Sequence, residues 1–239
     1  KEQGKLLHYK ILAEIGIAGE DAGTFRVEGK GDLNFKFLGD TVRLDANAYV
    51  KNLNPTFFYR HFHSKHYRWD NDDLSKIMRT RIEGKLNFKK LGTTLRAGVE
   101  NIKNYTYLAN TSVPVMNSQQ EVVSYKNNAN VAQYSDNIQV LTAMWQQKFK
   151  VGIFHLDGEV AYQKSSKKEI LPLPSLSAYG NLYIKTGLAK NVLQLELGAD
   201  VRYFTKYHAP DYSPVIGQFY LQNPDNRISI GGCPMVNVY

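Results

Sequence analysis

Residues 25–50 read FRVEGKGDLNFKFLGDTVRLDANAYV. Every second residue from Phe25 is apolar or glycine: Phe25, Val27, Gly29, Gly31, Leu33, Phe35, Phe37. Between them stand Arg26, Glu28, Lys30, Asp32, Asn34 and Lys36. The pattern breaks at Gly39-Asp40 and resumes, with Val42, Leu44, Ala46, Ala48 and Val50 against Arg43, Asp45, Asn47, Tyr49 and Lys51. A period of two sends successive side chains to opposite faces of an extended chain. The stretch therefore reads as a hairpin of two strands, each with one apolar and one charged face. What the apolar face touches, a protein core or lipid, decides the fold.

The same alternation recurs along the chain. Ile82, Gly84, Leu86 and Phe88 oppose Arg81, Glu83, Lys85 and Asn87. Leu95, Ala97 and Val99 oppose Arg96 and Glu100, and Leu193 to Tyr203 opposes Glu196, Asp200 and Arg202. Further alternating runs span 154–162 and 176–184, Leu7 to Ile17 alternates more weakly, and 138–149 is strand-like with ambiguous facing. Several runs last about 10 to 13 residues, whereas strands of soluble domains last about 5 to 6 and a tilted crossing of a bilayer takes about 9 to 11. Tight connections fall near Gly39, Gly92, Lys150 and Asn191, and long polar ones at 52–78, 107–136, 164–174 and 205–233. Short turns at one end and long loops at the other are the rhythm of an outer-membrane barrel. The apolar rows are almost free of charge, as a lipid-facing surface must be, because Lys or Arg at the midplane costs about 2–4 kcal/mol. The expected fold is all-β, an antiparallel up-and-down transmembrane barrel of about ten long strands here, without separate domains. The last residues, Met235-Val-Asn-Val-Tyr239, read as the opening of a further strand, so a larger barrel is expected.

Composition narrows the function. The 239 residues are 43% hydrophobic and 22% charged, with a net charge of +8. The bases are interleaved with acids and form no long run, which argues against a nucleic-acid partner. A single cysteine, Cys233, excludes an internal disulfide. No apolar run is long enough for a membrane-spanning helix.

Three groups could carry chemistry. His61, His63 and His66 lie in FFYRHFHSKHYRWDNDDLSK (57–76), close enough for zinc, and Asp70 and Asp72 offer oxygens to calcium. An aromatic and histidine band at a membrane interface explains the same residues, so no metal or other cofactor is expected. His155, Asp157 and Glu159 share a strand face and could act as acid and base, but no catalytic motif accompanies them, and an enzyme is not expected. The charged rows are the third group: Arg26, Glu28, Lys30, Asp32, Arg43, Asp45, Lys51, Arg81, Glu83, Lys85, Arg96, Glu100, Glu196, Asp200 and Arg202 would line a water-filled lumen. Both signs are present, which suggests a weak ion preference.

The stretches FFYRHFHSKHYRWDNDDLSK (57–76), VAYQKSS (160–166), LPLPSLSAYGNLYIK (171–185), GADVRYFTKYHAPDYSPVIGQFYLQ (198–222) and IGGCPMVNVY (230–239) resemble the Putative porin family of Bacteroidetes outer membranes. The resemblance implies an outer-membrane barrel, passive diffusion of small polar solutes and no catalytic residues. It implies a longer chain continuing past PMVNVY through further strands. Lipid and small solutes are the partners it implies, and a homo-oligomer or a partner lipoprotein is compatible with it. Two other readings stand beside it. One is a surface docking module using Tyr105, Tyr107, Tyr125, Tyr134, Tyr207 and Tyr212 in the long loops. The other is a soluble sandwich with a ligand site.

Overall fold

The computed structural model describes residues 2–3, 7–37, 39–111, 113–126, 128–188, 190, 192–224 and 227–239. In chain order the strands are β1 (Glu2–Gln3), β2 (Leu7–Ile15), β3 (Phe25–Phe37), β4 (Asp40–Leu53), β5 (His61–His63), β6 (Arg68–Asp70), β7 (Ile77–Phe88), β8 (Thr93–Asn110) and β9 (Val113–Met116). They continue as β10 (Val122–Lys126), β11 (Ala129–Val151), β12 (Phe154–Ser165), β13 (Leu176–Leu188), β14 (Leu193–Phe204), β15 (Asp211–Ser213), β16 (Gln218–Tyr220) and β17 (Met235–Val238). A short α-helix, α1 (Phe57–Arg60), precedes β5, and a single 3-10 turn spans Gly19–Asp21.

Alternating sequence becomes an eleven-stranded antiparallel sheet in the order β1-β2-β3-β4-β7-β8-β11-β12-β13-β14-β17. Each strand pairs with its neighbour in the chain, or with the next long one, so successive connections alternate between the two ends. Among the described residues no ladder joins β1 or β2 to β17, and no closed barrel is formed.

The turn-side connections are tight for identifiable reasons. Gly39 has φ +76 and Gly92 φ +64, a region glycine enters freely. Gly92 is doubly constrained, because a Cβ there would lie 2.4 Å from the Lys148 carbonyl. The Asp40 carboxylate accepts the backbone N–H groups of Thr41 (2.6 Å) and Lys90 (3.0 Å), clasping two adjacent turns. The turn expected near Asn191 lies outside the described residues.

The loop-side connections differ from expectation. Residues 107–136 are not a loop: β8 and β11 stay paired up to Asn110 opposite Ala129, and beyond them β9 and β10 form their own hairpin. Their polar composition reads as loop because the lower sheet contributes nothing to cover it. The cover comes from other loops. Trp69, Leu108, Ala129, Ile216 and Tyr220 form a small core, with Phe58, Tyr59, Phe62, Tyr67 and Val131 packed on it. Segments 52–78 and 205–233 are therefore built structures, carrying α1-β5-β6 and β15-β16. A shift of pairing register between Tyr134 and Asn137, with Asn104 at φ +57, marks the junction between this cap and the sheet below.

Candidate functional site: the charged face of the sheet

Residues directly opposite one another in an antiparallel ladder share a face. The ladders run unbroken across the sheet. Glu28 faces Tyr49, Tyr49 faces Arg81 and Arg81 faces Glu100; Asp32 faces Asp45, Asp45 faces Lys85 and Lys85 faces Arg96. On the far side Tyr179 faces Arg202 and Asn181 faces Asp200. Every residue expected to line a lumen thus stands on a single face. His155, Asp157 and Glu159 stand there too, opposite Lys150, Lys148 and Gln146. Pairing also fixes β11, whose facing the sequence leaves open: Val140, Thr142 and Met144 share the charged face, and Leu141, Ala143 and Trp145 the other.

The opposite face is apolar and uncovered. One row across it runs Leu33, Leu44, Leu86, Leu95, Trp145, Val160. Ile82 is 67% exposed and Leu182 58%. Charged side chains on this face sit near the strand ends: Lys103 and Lys164 toward the loop end, where a long stem lets an ammonium reach water, and Asp40 at the turn end, where backbone N–H groups take up its carboxylate. Gly29 and Gly31 meet nothing that would exclude a Cβ, and no contact explains them singly. Gly31 does begin a transverse line of small residues through Ala46, Gly84, Ala97 and Ala143.

On the charged face the carboxylates sit low and the bases reach over them. The side chains of Glu28 and Glu100 are 10% and 9% exposed. Glu100 accepts from Tyr49 Oη (2.9 Å) and Arg79 Nε (2.7 Å), with Arg81 Nη1 at 3.3 Å. Charge-assisted bonds of this kind hold both partners in place. Sequence reasoning omitted Arg79 and Tyr49 from this cluster, although both lie on the alternating polar row. Pairing of opposite charges across the ladder is only part of the arrangement. Arg26–Glu28 (2.6 Å), Arg43–Asp45 (2.7 Å), Arg81–Glu83 and Asp200–Arg202 (3.5 Å) join residues two apart on one strand. The R-x-E, R-x-D and D-x-R spacings carry that signal.

A family model described as "Putative porin" matches residues 1–239, the whole chain. The chain belongs to that family. No curated protein and no solved structure matches it. Membership supports a porin-like role in general and points to the outer membrane; among the described residues no helix is long and apolar enough to cross a membrane.

In this porin-family chain the histidines of 57–76 lie in the cap. His61 and His63 share a face of β5, as their spacing implies, and both reach Asp70. His63 Nε2 is 2.8 Å and His61 Nδ1 3.3 Å from its carboxylate, and His61 Nε2 is 3.2 Å from Asp72. The bond from His63, then that from His61, lowers the Asp70 pKa. His66 takes no part in these contacts. Among the described residues no group of three or more His, Cys, Asp or Glu is arranged to hold a metal ion. Cys233 is an exposed free thiol.

The loop tyrosines are mostly turned inward. Tyr105 and Tyr107 stack at 5.8 Å and are half-buried, as are Tyr134 and Tyr207; Tyr212 is exposed, and the side chain of Tyr125 lies outside the described residues. Tyr220 is buried and donates to Asp211 (3.0 Å). Burial, then that bond, pushes its pKa up to about 12. A pKa raised above the ordinary value of about 10 favours the neutral phenol in the folded cap. Its contribution is complete below pH ~10 and is lost as pH rises through about 12. Absorbance titration of wild type against Tyr220→Phe is expected to differ by one phenolate that appears last; a difference already complete near pH ~10 would contradict the buried bond.

Proposed function

We propose that this sheet is part of the wall of an outer-membrane β-barrel pore, with the charged face lining an aqueous lumen and the apolar face against lipid. Small polar solutes cross by passive diffusion. One observation carries the reading: segregation of charge, with the expected lumen residues all on one face, exposed Leu, Ile, Val and Trp on the other, and charge on that second face only near the strand ends. A soluble monomer rarely leaves so large an apolar face uncovered, whereas a barrel wall needs it. The strands are also long enough: β3, β4, β7, β12, β13 and β14 have 12–14 residues, above the roughly 9–11 that a tilted crossing takes.

On this reading the tight turns are periplasmic and the aromatic cap is external. The chain performs no chemistry and needs no cofactor. Lipid and solutes are its partners, and association with further copies or with a lipoprotein is compatible with it. Docking through loop tyrosines is less favoured, because most of those side chains are half-buried. The test is conductance of the full-length protein in a planar lipid bilayer. Stepwise, ohmic current increments are expected. Silence at every voltage, from protein shown to have inserted, would overturn the pore.

A further inference from the structure

Between β2, β3, β4, β7 and β8 the charged face is hollowed into a recess of about 660 Å³. Lys10, Lys30, Arg43, Lys85 and Arg96 line it, with Asp32, Asp45 and Glu83 as its acids. The fixed cations outnumber the fixed anions, and the two signs are placed differently. Each carboxylate is already engaged. Asp32 lies 2.9 Å from His8 Nδ1 and 3.7 Å from Arg43, Asp45 accepts from Arg43 at 2.7 Å, and Glu83 is bonded by Arg81 with Arg96 at 3.6 Å. The acids are drawn down onto the sheet, while Lys30 stays 60% exposed even though its ammonium lies 3.1 Å from Glu28.

The register adds an independent observation. Lys10 lies directly opposite Lys30, and Lys85 directly opposite Arg96. Like charges in that relation destabilise a sheet. Glu28 takes up Lys30 at 3.1 Å and Glu83 lies 3.6 Å from Arg96, and Asp45 stands opposite Lys85 on its other side; among the described residues no carboxylate forms an ion pair with Lys10 or Lys85 themselves, so the repulsion is only partly cancelled. Two such pairs facing one concave recess make a place where an added anion is favoured. A cation would meet carboxylates each already bonded to a guanidinium or an imidazole.

We infer that the recess is a binding site for small oxyanions in the lumen, of phosphate or carboxylate type, and that it biases the pore toward anions. The inference rests on the pore reading above and names its solute class. Mixed charge signs in the sequence suggest weak selectivity; the placement of those charges makes the surface that a solute meets cationic. Focusing of the field in a cleft raises the local counter-ion concentration.

The experiment uses the full-length protein in two formats. In a bilayer with a KCl gradient, the reversal potential is expected on the chloride side, with chloride favoured over potassium about threefold. Millimolar inorganic phosphate is expected to reduce the chloride current. In Lys10→Gln/Lys85→Gln both effects shrink. Current that reverses on the potassium side, or ignores phosphate, removes the site and leaves the pore standing. Calorimetric titration of inorganic phosphate into the detergent-solubilised protein reads the site even without current. Saturable heat that weakens in the double variant supports it; absence of heat overturns it. An absent conductance with saturable phosphate binding would instead sink only the pore reading.

Discussion

Leu182→Arg is expected to cost the folded protein about 2–4 kcal/mol in a lipid bilayer. Leu182 stands at the midpoint of β13, between Leu156 on β12 and Ala199 on β14, on the apolar face. It is 58% exposed, so the substitution breaks little packing within the protein. The cost therefore comes from the surroundings. In hydrocarbon the guanidinium must thin the bilayer or drag water with it; beside water it costs almost nothing. Leu188→Arg supplies the comparison. It lies on the same face but at the turn end of β13, where an interfacial arginine costs about 0–1 kcal/mol. Equilibrium unfolding from lipid vesicles measures both. Equal, small effects of within about 0.5 kcal/mol are what a water-facing sheet would give, and that outcome would remove the lipid assignment.

Trp69→Ala is expected to open the cap while leaving the sheet in place. The indole is 6% exposed, and its Nε1–H donates to the Phe58 carbonyl at 2.7 Å. Its ring lies 5.3 Å from Phe58, edge-on, and 4.9 Å from Phe62. Leu108 and Ala129, from the paired extension of β8 and β11, belong to the same cluster. Truncating a buried Trp in such a setting costs about 3–5 kcal/mol. That cost falls on the cap, which is anchored separately. Gln133 on β11 exchanges hydrogen bonds with the Ser75 backbone (3.0 and 2.7 Å), and Leu221 N–H donates to the Leu108 carbonyl at 2.8 Å. Hydrogen exchange is expected to accelerate in 57–70 and 107–110 and to stay slow in 176–204. Uniform acceleration would mean that cap and sheet unfold together. No change in 57–70 would mean that the indole does not hold the cap.

Much of the charged face was readable without coordinates. A charged residue two positions from another on a strand must share its face, and the alternation near Arg26 and Arg81 is nearly unbroken. The missing members, Arg79 and Tyr49, lie on the same rows. Arg79 falls between the connection read at 52–78 and the alternating run that opens at Arg81, and Tyr49 carries no charge. The anion recess was not legible. It depends on which residue of β2 faces Lys30 and which of β8 faces Lys85, and register is a property of the pair of strands.

By itself the sequence determined that the chain is built of strands longer than a soluble sheet needs, that each has one charged and one apolar side, and that tight and long connections alternate. These follow from local rules: side-chain period, glycine at turns and the cost of charge in lipid. Only the tertiary structure decided the facing of β11, the register that sets Lys10 opposite Lys30, and the identity of 107–136. That segment is polar enough to read as loop. It stays paired because Trp69, Ile216 and Tyr220, far away in the chain, bury Leu108 and Ala129. Burial across such distances sums contributions that no local window contains.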